Sequence, residues 1–238
     1  MNEKKCLKAR AQLINYDFKQ GNLFMIFVLD KHNSIGNEFL RELRDKHIQQ
    51  DRMRFRKNME RLGEIMAYEI SKSFSYDSRN VVSPLGNITI NAVTDHLVLI
   101  TILRAGLAYF HGFVNFFDKA DCGFIGAYRE EGADHIKIKL SYVATQSLAD
   151  KVVVLIDPML ATGRSVIDSV NAVIKNGKPK HIHIVSLVAA PEGLQYIEQN
   201  LSLPYSVWTC SVDEKLDENF YIVPGLGDAG DLSYGVKL

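Results

Sequence analysis

V-V-V-L-I-D-P-M-L-A-T-G-R-S, residues 152–165, is the stretch whose reading decides the fold. It opens on an apolar run rich in β-branched side chains, suited to a strand buried on both faces of a parallel sheet. Asp157 follows at the carboxyl end of that strand, where open α/β sheets bind their ligands. Pro158 has no N–H to give a sheet ladder and so stops the strand. Ala161, Thr162, Gly163 and Ser165 make a small, hydroxyl-bearing turn. Val166, Ile167, Val170, Val173 and Ile174 then recur at helical spacing. Strand, carboxylate, small polar turn and helix aim backbone N–H groups and a helix N-terminus at an anion such as phosphate. Asp157 suits ribose hydroxyls or a metal. On spacing alone the pattern equally fits an ordinary βα turn with a capping Ser. A Walker A loop is excluded, because no Gly-x-x-x-x-Gly-Lys frame surrounds it.

Working outward, residues 97–103 form a second buried strand, ending in Arg104-Ala105-Gly106 and followed by a helix over 107–117. Arg104 supplies forked donors that match phosphate oxygens, and Gly106 lets backbone approach an anion closely. Alone, such an Arg reads as a surface ion-pair residue. Beside residues 157–165 it reads as a second anion ligand. Residues 124–128 are another strand, and Arg129-Glu130-Glu131-Gly132 after it suits a lid. The alternating Ile136, Ile138 and Leu140 form its return arm. Downstream, Asn176-Gly177-Lys178-Pro179 closes the helix. Residues 182–189 are a strand, 191–200 a helix opening on Pro and Glu, and 205–212 a strand holding Trp208, a core or interface aromatic. His181 and His183, two apart, form either a metal pair or, more simply, polar edge residues.

Toward the N-terminus, residues 37–47 and 52–74 read as helices. Phe55, Met59, Leu62, Met66 and Ile70 make one apolar stripe on the second. Arg54, Lys57, Glu60, Arg61 and Glu64 form its solvated face, with i, i+4 pairs. Ser83-Pro84-Leu85-Gly86 turns between Val81-Val82 and Ile88–Ile90, a hairpin suited to be an arm for self-association. The apolar run at 23–29 is too short to span a bilayer. It lacks a small-residue cleavage site, so the folded domain starts near Met25. Lys plus Arg (28) balance Asp plus Glu (28), so no global field attracts nucleic acid or an anionic membrane. Cys6, Cys122 and Cys210 are few, odd in number and widely spaced. They point to the reducing cytoplasm, form no zinc pattern, and read as small buried hydrophobes.

Residues 221–231 read Y-I-V-P-G-L-G-D-A-G-D. So much Gly, Pro and Asp argues against a helix. An irregular hood of main-chain donors and acceptors is one reading, a surface loop the other.

Four of these strings resemble the uracil phosphoribosyltransferases, within the type I phosphoribosyltransferases. They are D-P-M-L-A-T-G at 157–163, I-L-R-A-G-L at 102–107, V-A-A-P-E-G at 188–193 and the 221–231 hood. The resemblance runs from about Met25 to Leu238, so residues 1–24 are expected to be an extension and 25–238 one domain. It implies an α/β fold, a mostly parallel sheet flanked by helices, with a C-terminal base-binding hood and a β-hairpin arm. The implied reaction joins uracil to 5-phospho-α-D-ribose 1-diphosphate, giving UMP and diphosphate, with Mg²⁺ on the diphosphate. Arg104 and Arg129 would then contact the donor. Asp157, Pro158, Met159, Leu160, Ala161, Thr162, Gly163, Arg164 and Ser165 would cradle its ribose and 5′-phosphate. Ile222, Gly227, Asp228 and Ala229 would bind uracil, with Asp228 also near the donor or its metal. Arg104, Asp157 and Asp228 would carry the catalytic electrostatics, and no residue is assigned as a base. A rigid irregular backbone can match the flat edge of uracil and exclude larger bases. Two features depart from the family: Arg164 stands where a Gly or other small residue is usual, and the lid lacks T-L-E-P. The competing readings are a non-catalytic regulator that senses nucleotides or binds RNA, and an enzyme acting on another base. A homo-oligomer is expected.

Overall fold

The computed structural model describes residues 25–130 and 137–237. The N-terminal half contains β1 (Ile26–Val28), α1 (Ile35–Arg44), α2 (Arg52–Ser71), β2 (Tyr76–Ser83), β3 (Gly86–Val93), β4 (Leu97–Leu103) and α3 (Leu107–Phe116). There follow β5 (Asp121–Glu130), β6 (Lys137–Ala144), β7 (Val152–Ile156), β8 (Met159–Leu160), α4 (Arg164–Val173) and β9 (His181–Ala189). The chain ends with α5 (Pro191–Asn200), β10 (Tyr205–Val212), β11 (Lys215–Leu216), β12 (Ile222–Val223) and α6 (Ala229–Tyr234). Residues 1–24 lie outside the described residues.

The main sheet has the order β1-β10-β9-β7-β4-β5-β6, with β8 joined to β9. Every pairing in it is parallel except β5 with β6. The mostly parallel sheet expected from the apolar strand runs is therefore the one observed. Strand alternation divides the core into two layers. Val98, Ile100, Val153, Leu155 and Ile184 pack with Val166 and Val170 of α4 and Ile197 of α5. Leu99, Val154, Ile156 and Val185 face the other way, onto α2 and α3. The stripe read on α2 is buried throughout, from Phe55 to Ile70. Burial of each such side chain stabilises the fold by about 1.5–3 kcal/mol.

The structure corrects several local expectations. Helix α1 starts at Ile35 because the Ser34 hydroxyl accepts from Gly36 N–H. It stops at Arg44, where the Asp45 carboxylate accepts instead from the His47 and Ile48 N–H groups. The charged face of α2 is not all solvated. Arg54 forks onto Glu42 of α1 at 2.8 and 2.6 Å, and Asn58 donates to the same buried carboxylate. These donors hold the Glu42 carboxyl down at about 2. His183 is no edge residue, since β9 lies inside the sheet and buries it. Its Nδ1 accepts from Trp208 Nε1 at 3.0 Å, which makes Trp208 a core aromatic. Cys122 is exposed, whereas Cys210 is buried as expected. The β2–β3 hairpin is longer than expected, and its apolar residues Val82 and Leu85 are 84% and 101% exposed.

Candidate active site

The register Thr101↔Ile156 makes β4 and β7 end side by side, so Arg104 and Asp157 leave the sheet from neighbouring strands. Beyond Ile156 the chain does not simply leave the sheet. Pro158 lacks an N–H, but its carbonyl accepts from Leu187 and Val188, and Met159–Leu160 rejoin β9. Pro158 was expected to stop the strand; it interrupts the ladder for one step, because only its donor is missing. The Pro158 and Leu160 side chains are buried, and the Leu160 carbonyl accepts from Ala190 N–H. Asp157 is half-buried and accepts from Met159 N–H at 3.3 Å. Thr162, rather than Ser165, gives the side-chain oxygen at the start of α4, accepting from Arg164 N–H at 3.4 Å.

Two glycines lock this turn in place. Gly163 precedes α4 with φ 75°, in the left-handed region that glycine enters without penalty. A Cβ there would lie 2.7 Å from the Gly193 carbonyl, and one on Gly193 would overlap the Ala161 carbonyl. The strings at 157–163 and 188–193 are thus two halves of one close packing. Arg164 is exposed, with its guanidinium carbon 5.3 Å from the centroid of the Tyr196 ring on α5.

Gly106 has a different role from the one expected of it. It is buried, and a Cβ would meet Thr101 Oγ1, the Ile102 carbonyl and, at 3.1 Å, the Ile156 carbonyl. It allows the ends of β4 and β7 to close together rather than an anion to approach. Arg104 Nη2 donates to Asp231 Oδ1 and to the Gly235 carbonyl, each at 3.1 Å. A Cβ on Gly230 would sit 3.7 Å from Ala105 Cβ. The C-terminal segment therefore rests on the turn that carries Arg104.

That segment is irregular from Asp217 to Asp228, apart from the short β11–β12 ladder. Its last residues correct the expectation that no helix forms, since α6 starts at Ala229. Pro224, Gly225 and Gly227 all precede it, and Asp228 caps it by accepting from Asp231 N–H at 2.9 Å. Ile222 and Ala229 are buried residues, 6% and 1% exposed. Gly227 is exposed with φ 86°.

The sequence reading missed Arg44 and Asp213. Arg44 forks onto Asp213 at 2.9 and 2.6 Å, and both bind Gly225 of the hood. The one local signal was a carboxylate just past a buried strand, β10. Arg129 lies in β5 opposite Ile138; its side chain and the lid residues 131–136 fall outside the described residues. Among the described residues, no group of three or more His, Cys, Asp or Glu could hold a metal ion. No helix of them is long and apolar enough to cross a membrane.

The uracil phosphoribosyltransferase family profile matches residues 29–236. A uracil phosphoribosyltransferase of Porphyromonas gingivalis is 46% identical over 211 residues, covering 88% of this chain and 98% of that protein. One of Malacoplasma penetrans is 38% identical over 213 residues, covering 90% of this chain and 100% of that protein. The solved structure of the AQ2163 protein from Aquifex aeolicus matches with a TM-score of 0.80 at 32% identity, covering 90% of this chain and 100% of that one. With the profile spanning every strand of the sheet after β1, residues 157–165, the Arg104 turn and residues 221–231, the chain belongs to the uracil phosphoribosyltransferase family.

Proposed function

We propose that this chain transfers the 5-phosphoribosyl group of 5-phospho-α-D-ribose 1-diphosphate to N1 of uracil, releasing UMP and diphosphate. The observation that carries this is the contact between Arg104 and the hood segment, at Asp231 and Gly235. It brings a donor for a leaving anion, just past β4, against the short helix α6 that directly follows the main chain suited to a base. The cradle opens from β7, the neighbouring strand.

In this reading the bond from ribose C1 to the diphosphate oxygen breaks, and its electron pair leaves with the diphosphate. The bond from C1 to uracil N1 forms, and the N1 proton is lost. Arg104 stabilises the charge that grows on the leaving group. The amides of Ala161–Ser165 hold the 5′-phosphate, with Gly163 giving them their curvature. Asp157 holds the ribose, and Asp157 and Asp228 favour positive charge on the sugar. The main chain at Ile222 and Gly227–Ala229 reads the edge of uracil. Mg²⁺ would be bound chiefly by the diphosphate, since such ions are usually held by substrate phosphates and one or two protein carboxylates. Asp157 and Asp228 are the residues to hold it, and when bound it neutralises diphosphate charge.

The proposal includes a homo-oligomer joined through the exposed β2–β3 hairpin, and a cytoplasmic setting in keeping with the free thiols Cys122 and Cys210. Nothing in the fold or the comparisons favours a non-catalytic regulator. The test is purified protein with Mg²⁺, the ribosyl donor and radiolabelled bases. UMP is expected from uracil, with little product from cytosine, adenine or orotate. Equal or better turnover of a purine would overturn the base assignment, and no product from any base would overturn the activity.

A further inference from the structure

We infer that Arg44 and Asp213 are positioning residues that set the orientation of the base-reading main chain through the Gly225 peptide. The inference rests on the uracil-transfer reading of the hood. Arg44 closes α1, and Asp213 follows β10. Arg44 Nη2 donates to Asp213 Oδ1 at 2.6 Å, and Nη1 donates to Oδ2 at 2.9 Å. The same Nη1 donates to the Gly225 carbonyl at 2.8 Å, while Gly225 N–H donates to Asp213 Oδ2 at 2.8 Å. Both polar groups of one hood residue are thus gripped by the two halves of one ion pair. Ser211 Oγ adds a third donor type to Asp213, at 3.3 Å. The Asp213 side chain is 3% exposed and that of Arg44 22%.

Gly225 lies between the two segments expected to read the base, Ile222 and Gly227–Ala229. On either side of it Ile222 and Leu226 plug into the core, 6% and 2% exposed. Gly225 itself has φ 63°, and a Cβ would overlap the Ile222 carbonyl. Main chain that reads a base has no rotamers with which to adjust, so peptide orientation sets its geometry. A misplacement of about 1 Å can cost ~100-fold in rate. A buried ion pair is by itself a poor stabiliser relative to apolar side chains. Here its bonds go into the hood rather than only across the pair. Asp213 N–H also donates to the Ala189 carbonyl at 2.8 Å, so the clamp is fixed to the strand whose continuation packs against the cradle.

Arg44→Lys keeps the charge but loses the fork, and Asp213→Asn keeps the shape but turns an acceptor into a donor. Steady-state kinetics on both should show KM for uracil raised about tenfold or more, with KM for the ribosyl donor within about twofold. Preference for uracil over cytosine should fall. Uracil KM within about twofold on a folded variant, or both KM values rising together, would overturn the inference and leave the pair a structural strut. Amide hydrogen exchange on the unmodified protein gives a readout free of variant folding and of turnover. Gly225 N–H should be protected like the β9 and β10 amides. Exchange as fast as at the tip of the β2–β3 hairpin would show that no clamp holds it. A wild type inert toward uracil would sink the activity, while the exchange result would still decide the clamp.

Discussion

At the scale of single residues, the site depends on where two arginines point. Arg104 donates to Asp231 and Gly235, so its guanidinium is aimed at the C-terminal segment. Arg104→Ala should lower kcat/KM about a hundred- to a thousandfold, roughly 2.7–4 kcal/mol of lost charge stabilisation. A value within about threefold of wild type, with circular dichroism unchanged, would place Arg104 outside the site. Arg164, the departure from the family string, instead lies over Tyr196 and leaves its N–H in the turn. In the proposed reading the cradle binds through backbone amides, which an Arg side chain leaves in place. Arg164→Gly should therefore change donor affinity, measured by calorimetry, by less than about tenfold, or 1.4 kcal/mol. An inert wild type rescued by this substitution would mean that Arg164 blocks the cradle.

At the scale of elements, β9 and β10 carry a polar pair inside an apolar sheet. An indole N–H can only donate, so His183 Nδ1 must accept and the ring is neutral. Burial holds His183 down at about 3, with His181 beside it adding to the shift and Asp95 opposing it. His181 is itself lowered, first by burial, with Lys180 acting in the same sense. A depressed histidine contributes stability that is fully present above its unfolded value, 6.5, and is lost as pH falls from there toward 3. Urea unfolding midpoints should accordingly drop between pH 7 and pH 4. His183→Gln, which keeps an acceptor for Trp208, should show a shallower drop, with His181 supplying what remains. Parallel curves for the two proteins would assign the acid loss elsewhere. Gly163 and Gly193 make the same point about elements, since the cradle exists only because α5 comes close enough to shape it.

At the scale of the whole molecule, strand order does the assembling. Neighbouring β4 and β7 deliver Arg104 and Asp157 to one edge, and β9 and β10 deliver Val188–Gly193 and Asp213 beside them. The β2–β3 hairpin stands off this body with apolar side chains in solvent, including Ile88 at 54% exposure. It is the surface the proposed homo-oligomer would bury. Val82→Ser combined with Leu85→Ser should lower the mass seen by light scattering to that of the 26.8 kDa chain. An unchanged mass above that value would remove the hairpin tip from the interface, and a wild type already at that mass would remove the oligomer.

What the sequence determined by itself was local. Strand runs, the α2 stripe, the small turn at Ala161–Ser165 and the irregular hood up to Asp228 are each written in adjacent residues, because period and turn chemistry act over a few positions. The β4, α5 and β10 bounds were legible to the residue for that reason. The start of α6 was not, because composition averaged over 221–231 hid the cap at Asp228. Tertiary structure decided every partnership between distant positions. Arg44 and Asp213 are 169 residues apart, Arg104 and Asp231 127. No spacing rule links such residues. They meet because parallel crossovers place β10, β9, β7 and β4 side by side with their carboxyl ends on one edge. There Asp213 becomes buried and paired, and Arg104, still exposed, becomes paired and aimed.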